Sequence, residues 1–397
     1  MIKRIKIRDF KSIRELDLEF DPVTVLVGRS GTGKSNLVQA IRFLRNLLLN
    51  HDEAINYEFG WERIVPVGEE RPKTSVEVFF SIPGDEVEYR YHICFGTPGQ
   101  QKFPGPMQLR DERLNLGNDI IFARVRNDAG QWKWDKTPNV SPTPRPDSEH
   151  TMLGQFPSLQ QVVFANAALS TGIGCYHFPA STLTLALEPQ TQRGQNLFKS
   201  IPGLSDNAAN YLKIMRGITQ DFHRPNIRKN LLASLHALNS SIESVELDSL
   251  TNPQRAIIGH KAVDRVFALS LEQESDGLRR FYAHLLALYQ TPSKLTLLFE
   301  EPENAIFPGA LSLLADEFKA APRENRGQVI LTTHNPTLLD SFDVDNVRAV
   351  DMRDGRTLVG RVATEQSQAV KDHLLTTGEL LTVDRARLDE GKVLQPT

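Results

Sequence analysis

Two cysteines in 397 residues, Cys94 and Cys175, cannot by themselves build a disulfide framework or complete a structural zinc site. Long apolar runs are missing too: nowhere do about 18 consecutive apolar residues occur, so no segment is expected to span a bilayer. The opening Met1-Ile-Lys-Arg-Ile-Lys-Ile-Arg8 is too charged to begin a signal peptide. There is no excess of basic charge. Lys and Arg number 46 against 49 Asp and Glu, a net charge of −3, so any contact with nucleic acid would need a local patch. Internal repeats and sustained heptads are also absent. The composition is that of an ordinary globular chain, 40% hydrophobic and 24% charged, with enough residues for one large domain or two ordinary ones. A soluble, cytoplasmic protein with no membrane contact is expected.

The pattern predicts strands at Ile2–Ile7, Leu16–Phe20 and Val23–Val27, the last a nearly continuous apolar run suited to a buried position. A glycine-rich loop follows, then a helix over Lys34–Leu49 whose Leu37, Ile41, Leu44 and Leu48 share one face. Further β-like segments lie at Ser75–Ile82, Val87–Phe95 and Ile120–Val125, separated by loops at Gly96–Met107 and Thr137–Pro146. From about 150 to 290 the pattern reads as helical, best at Ala208–Met215 and Ile227–Leu238. Beyond that come a strand at Leu295–Phe299, a helix at Gly309–Phe318, a strand at Val329–Thr333 and a hairpin over Val347–Val362 turning at Asp354-Gly355. A helix is expected near Glu365–Leu375. Three segments result: 1–150, with loop and β subdomain; 151–290, a helical lobe; and 291–397, which resumes the sheet.

Gly28-Arg29-Ser30-Gly31-Thr32-Gly33-Lys34-Ser35 fits the phosphate-loop pattern in full, between an apolar strand and an amphipathic helix as that motif requires. Its glycines allow amide N–H groups to wrap phosphate oxygens, and the helix adds its positive end. Lys34 is expected on the β- and γ-phosphates, the Ser35 hydroxyl on Mg²⁺, and Asn36 beside them. Leu295-Thr-Leu-Leu-Phe-Glu300-Glu301 ends a buried strand with two carboxylates. That strand is expected to lie beside the loop strand, with Glu300 holding Mg²⁺ through water and Glu301 polarising the attacking water as general base. Val329–Thr333 leads to His334, placed by strand–helix–strand order at the same sheet edge, where an imidazole would bond the γ-phosphate or position the water.

Glu274-Ser275-Asp276-Gly277-Leu278-Arg279 opens a helix with apolar face Leu278, Phe281, Leu285 and Leu288, Ser275 suiting an N-cap and Asp276 the helix dipole. In order with the other motifs, it resembles the signature of ABC-type ATPases. The opening Ile5-Lys-Ile-Arg-Asp-Phe-Lys-Ser12, with Lys11, together with Glu300-Glu-Pro-Glu-Asn304 and Thr333-His-Asn-Pro336, makes the chain resemble the SMC/RecF/OLD branch. Tyr176-His-Phe-Pro179 and Leu204–Arg216 resemble that branch's middle region. Asp276 stands where transporters have the first Gly of Ser-Gly-Gly, as in SMC-like relatives, and Ile306-Phe-Pro308 replaces the usual Leu-His-Pro. Gln155, Gln160 and Gln161 compete for the Gln-loop position.

The resemblance implies an α/β fold: an ABC-type P-loop ATPase head with a mixed β-sheet core, an antiparallel β subdomain and a helical lobe inserted between Walker A and the signature helix. It implies ATP and Mg²⁺ as cofactors, and a homodimer that sandwiches ATP between the phosphate loop of one copy and Ser275, Asp276 and Gly277 of the other, a larger assembly being open. The 55 residues after Phe342 (397 − 342) are too few for the TOPRIM nuclease domain of OLD-type relatives. By analogy with two-gene antiphage systems, a separately encoded nuclease or toxin is the expected partner. A RecF-type DNA clamp, with Lys3, Arg4, Lys6 and Arg8 as a contact face, is the alternative. An ABC-transporter subunit ranks lower, and a scaffold with a dead ATP site is least expected because every hydrolytic residue type is present.

Overall fold

The computed structural model describes residues 1–99, 101–127, 130–141, 145, 150–179, 182–183, 202–220, 225–248 and 255–389. Parts of the expected loops at Gly96–Met107 and Thr137–Pro146 lie outside these residues. Sixteen strands among them run as β1 (Ile2–Phe10), β2 (Ile13–Glu19), β3 (Val23–Val27), β4 (Lys73–Phe80), β5 (Tyr89–Gly96), β6 (Gln108–Leu116), β7 (Asp119–Arg126), β8 (Trp132–Lys136), β9 (Ile173–Tyr176), β10 (Ile242–Asp248), β11 (Arg255–Ala262), β12 (Arg265–Ser270), β13 (Thr296–Glu300), β14 (Gln328–Thr333), β15 (Val347–Arg353) and β16 (Arg356–Arg361).

Alternation in β1 and β2 places Ile5, Ile7, Phe10, Ile13, Leu16 and Leu18 inward. These strands begin an antiparallel sheet of order β2-β1-β4-β5-β6-β7-β8 that folds over the helix Lys34–Leu49. The second sheet, of order β16-β15-β3-β14-β13-β9, is the centre of the molecule. Its strands β15, β3, β14, β13 and β9 run parallel, with β16 antiparallel at one edge. All five residues of β3 are buried because both faces of this sheet are covered. Val25, Val27, Leu297, Phe299, Val329 and Leu331 enter the core on one face, with the helices Asp276–Tyr289 and Pro308–Arg323. Leu26, Leu298 and Ile330 enter the core on the other, with the helix Lys34–Leu49 and the antiparallel sheet.

Two expectations are corrected here. The acidic strand β13 is not beside the loop strand: β14, which carries His334 at its end, lies between them. The segment 151–290 is not purely helical. It holds the helices Gln160–Leu169, Tyr211–Gln220 and Pro225–Leu238, but also β9, which joins the central sheet, and an antiparallel sheet β10-β11-β12. β11 alternates in burial, with Ala256, Ile258 and His260 inward, but its residues Arg-Ala-Ile-Ile-Gly-His do not alternate in polarity, and β12 is exposed over most of its length, so neither carries the two-residue pattern that identifies a strand from sequence. Boundaries shift as well: the helix expected at Ala208 begins at Tyr211, and the one near Glu365–Leu375 runs Thr364–Lys371.

A fully buried Arg45 in the loop helix fastens this middle segment, donating Nη1 and Nη2 to the two carboxylate oxygens of Asp206 at 2.8 and 2.7 Å. Lys294 does the same from the other side, giving its ammonium to the carbonyls of Thr171 and Pro202 at 2.7 and 2.5 Å. Burial pushes that lysine down to about 8, opposed by the charge of Asp206.

Candidate nucleotide site

The C-terminal ends of β3, β14, β13 and β9 lie side by side, which is where parallel α/β sheets bind ligands. β3 runs into the glycine-rich loop and thence into the helix Lys34–Leu49. Gly33 caps this helix at φ +96°, a left-handed conformation that a side chain rarely tolerates. Arg29, Ser30, Gly31 and Ser35 are exposed, whereas Thr32 and Lys34 are buried. Lys34 folds back to give its ammonium to the carbonyls of Gly28 at 2.6 Å and Arg29 at 3.0 Å. Burial lowers its pKa, opposed by the charges of Glu301 and Glu303, so those carboxylates lie within electrostatic reach of the loop.

Glu300 ends β13, largely buried, and its Oε1 has no hydrogen-bond partner. Burial raises its pKa, while Arg42, whose Nη1 stands 4.0 Å from that oxygen, and His177 pull it down. A buried carboxylate oxygen with spare acceptor capacity, together with an exposed Ser35 hydroxyl, fits a magnesium ion that keeps part of its water shell. Among the described residues no cluster of three or more His, Cys, Asp or Glu side chains forms a metal cage.

Glu301 turns the chain at φ +46°, with its N–H donating to Thr332. The turn lifts its carboxylate into a half-exposed position, where Oε2 accepts from Asn304 Nδ2 at 3.1 Å and Oε1 lies 3.3 Å from His334 Nδ1. Glu303, expected with Asn304 to begin a loop that could cross a dimer interface, is instead buried directly behind this pair. Its Oε1 accepts from Thr333 Oγ1 at 2.7 Å and from the His334 N–H at 3.0 Å, and lies 3.4 Å from His334 Nδ1. Both carboxylates thus face Nδ1, at 3.3 Å for Glu301 and 3.4 Å for Glu303, and hold that edge of the ring toward the acidic turn. The second Glu of Glu-Pro-Glu was the available signal, since a carboxylate three residues past a strand end can fold back on the next strand.

The edge strand β9 ends at Tyr176, paired with Phe299, so exposed His177 follows at the level of Glu300. None of the three competing glutamines occupies that place: Gln155, Gln160 and Gln161 all precede β9, in a loop and at the start of a helix.

Ser275 caps the helix Asp276–Tyr289, its hydroxyl accepting from Leu278 N–H at 3.2 Å. It is exposed. Asp276 pairs with Arg280 at 3.2 Å, and Arg280 also donates to the Asn304 carbonyl at 3.2 Å. A Cβ on Gly277 would meet the Ala305 carbonyl at 2.7 Å. The start of this helix is therefore locked to the turn that follows Glu301 and Glu303. It belongs to the core on one face of the central sheet, and the phosphate-loop helix to the core on the other.

Lys11 lies near the loop but is already engaged, its ammonium bonded to Glu58 Oε2 and Gln39 Oε1, both at 2.7 Å. With Ser12, Asn36, Arg42 and Phe59 it lines a cleft of ≈ 1370 Å³ that opens beside the start of the loop helix.

The comparisons with known proteins agree with this geometry. A family model described as an AAA ATPase domain matches residues 1–87, and one described as "AAA domain, putative AbiEii toxin, Type IV TA system" matches 181–340. Among curated proteins, the DNA replication and repair protein RecF of Acidothermus cellulolyticus is 43% identical over 124 residues, 31% of each chain. RecF of Arthrobacter sp. is 40% identical over 65 residues, 16% of each. The chain thus spans under a third of the length of these relatives. Among solved structures, the SMC head bound to the C-winged helix domain of ScpA superposes with TM-score 0.52 at 16% identity, over 92% of this chain and 99% of that one. The SMC head from Pyrococcus furiosus, with an extended coiled coil and bound to the C-terminal domain of ScpA, gives 0.53 at 15% identity, over 94% and 99%. The fold is that of an SMC head domain. With both ATPase models and the RecF match, the chain is SMC/RecF-like, with the α/β P-loop head architecture that its sequence implies.

Proposed function

We propose that this SMC/RecF-like head is a Mg²⁺-dependent ATPase that works as a pair, each ATP held between the phosphate loop of one copy and the Ser275 helix start of the other. The observation that supports this reading is that these two elements belong to cores on opposite faces of one sheet, with Ser275 exposed, which leaves the helix start open to a second molecule. Lys34 leaves the Gly28 and Arg29 carbonyls for phosphate oxygens. Ser35 and Glu300 would hold magnesium, which when bound would supply charge neutralisation to the phosphates. His334 and Glu301 together orient water, with the His334 ring able to bond either that water or the γ-phosphate. Glu301 takes the water proton as its oxygen bonds to the γ-phosphorus and the bond to the β–γ bridging oxygen breaks, leaving ADP and phosphate.

For the output of the cycle, the leading reading is control of a separately encoded nuclease or toxin in antiphage defence, in keeping with a family model whose description names a toxin system. A RecF-like role on DNA is the second reading, favoured by the curated matches. The β1 face does not add to it: Arg4 is paired with Asp17, and Lys6 lies between Asp17 and Glu77.

A mixing experiment tests the pair. Ser275→Arg and Lys34→Ala are each expected to be inactive alone. Combined, they leave one intact composite site per heterodimer, so ATPase activity returns. Failure of the mixture to regain activity, with each variant folded, would overturn the shared site. Isolation of the Glu301→Gln protein in ATP then separates the outputs: a co-purifying nuclease or toxin supports the first reading, and duplex DNA alone supports the second.

A further inference from the structure

We propose that Thr357, in the hairpin some 300 residues beyond the phosphate loop, is a positioning residue that moulds that loop for nucleotide; the inference rests on the nucleotide-binding reading of the loop. The hairpin β15–β16 packs against both ends of the loop. At the first glycine, a Cβ on Gly28 would lie 2.2 Å from the Val350 carbonyl oxygen of β15. At the last, a Cβ on Gly33 would lie 1.9 Å from the Thr357 hydroxyl of β16. Both glycines of the motif are thus required by the hairpin as well as by the phosphates.

Thr357 is 1% exposed, and its hydroxyl is the centre of an oriented chain. It donates to the Thr32 carbonyl at 3.0 Å. A hydroxyl has one proton, so the 2.6 Å contact with Ser12 Oγ is made by Ser12 donating. Ser12 Oγ in turn accepts from Asn36 Nδ2 at 2.6 Å, and the Thr357 N–H donates to the Ser12 carbonyl at 2.9 Å. The order runs Asn36 → Ser12 → Thr357 → Thr32, joining the first turn of the loop helix, the opening Phe-Lys-Ser element and the loop itself. Fixing the Thr32 carbonyl fixes the peptide that connects it to Gly33, one of the amides available to phosphate. Neither Ser12 nor Thr357 need touch the nucleotide to do this. Each hydroxyl is satisfied within the chain, so removing one leaves an inner group without a partner.

The test uses the full-length chain, a fluorescent ATP analogue titrated with Mg²⁺, steady-state hydrolysis and thermal melting without nucleotide. Thr357→Val keeps shape and removes the hydroxyl. It is expected to weaken analogue binding by about tenfold, with turnover at saturating ATP within about twofold of wild type. Thr357→Ser is expected to restore affinity. Should Thr357→Val fold poorly, Ser12→Ala interrupts the same chain at a half-buried position and is expected to give a loss of similar size, with the double variant no worse than either single one. Wild-type affinity in Thr357→Val or Ser12→Ala, or a loss that Thr357→Ser does not repair, would overturn the assignment. Lys34→Ala separates this from the parent reading. If Lys34→Ala loses nucleotide while Thr357→Val keeps it, the positioning role falls and the site stands. If the wild-type chain binds no analogue, both fall.

Discussion

The two faces of the central sheet are built for different tasks. On one, the phosphate loop is finished within a single chain: its glycines fit under a hairpin, its lysine has carbonyl partners in place, and its helix lies between two sheets. On the other, the signature helix is anchored below through Gly277 and Arg280, yet its Ser275 tip is exposed and only caps its own helix. A preformed cradle on one side and an anchored but exposed tip on the other is what a switch needs. On the proposed reading, nucleotide enters the cradle with only Lys34 changing partners, and the second contact forms when another surface arrives. The acidic turn joins the faces, since Glu301 reaches towards Lys34 while Ala305 and Asn304 hold the signature helix.

Breaking the chemistry while sparing both faces should give the largest effect. Glu301→Gln is expected to lower ATP turnover by about 10²–10⁴-fold while keeping nucleotide, and light scattering in ATP should then report an accumulated dimer. Cutting the tie between the loop helix and the inserted segment comes next. Arg45→Met leaves Asp206 without its bidentate partner and is expected to cost about 3–5 kcal/mol in urea unfolding, part of it recovered by adding Asp206→Asn. A smaller, purely catalytic loss is expected for Glu303→Gln, which keeps shape but removes the charge behind His334: about tenfold in turnover, with analogue affinity unchanged. The mildest test is acid. His284, in the signature helix against Phe178, Phe299 and Phe318, is pushed down to about 3 by burial. Below the ordinary histidine range the unfolded chain takes up a proton that the folded one refuses. The stability linked to His284 is therefore whole above roughly pH 6.5 and is lost as pH falls, by about 1.4 kcal/mol per unit at most. Thermal melts of His284→Leu should show a flatter acid limb.

Legibility followed the range of the interaction. The phosphate loop, the acidic pair, the Ser275 cap and the Asp354-Gly355 hairpin are local patterns, each set by torsions and neighbours within a few residues, and the fold carries all of them. The sheet β10-β11-β12 escaped notice because β12 is largely exposed and lacks the alternation a half-buried strand shows. The order of the central strands was misjudged for a different reason: β14 lies between β3 and β13, and β-branched runs that are buried on both faces look alike wherever they sit.

The sequence by itself determined which residues are the candidates for phosphate and carboxylate chemistry, because glycine torsions, a lysine before a serine and paired glutamates after a strand act at short range. Only the tertiary structure decided what surrounds them. Glu303 behind His334, His177 at the level of Glu300 and Thr357 over Gly33 are juxtapositions across 31, 123 and 324 residues of chain (334 − 303, 300 − 177 and 357 − 33). No periodicity records such distances; they arise when the ends of parallel strands are brought to one edge and a hairpin closes over it.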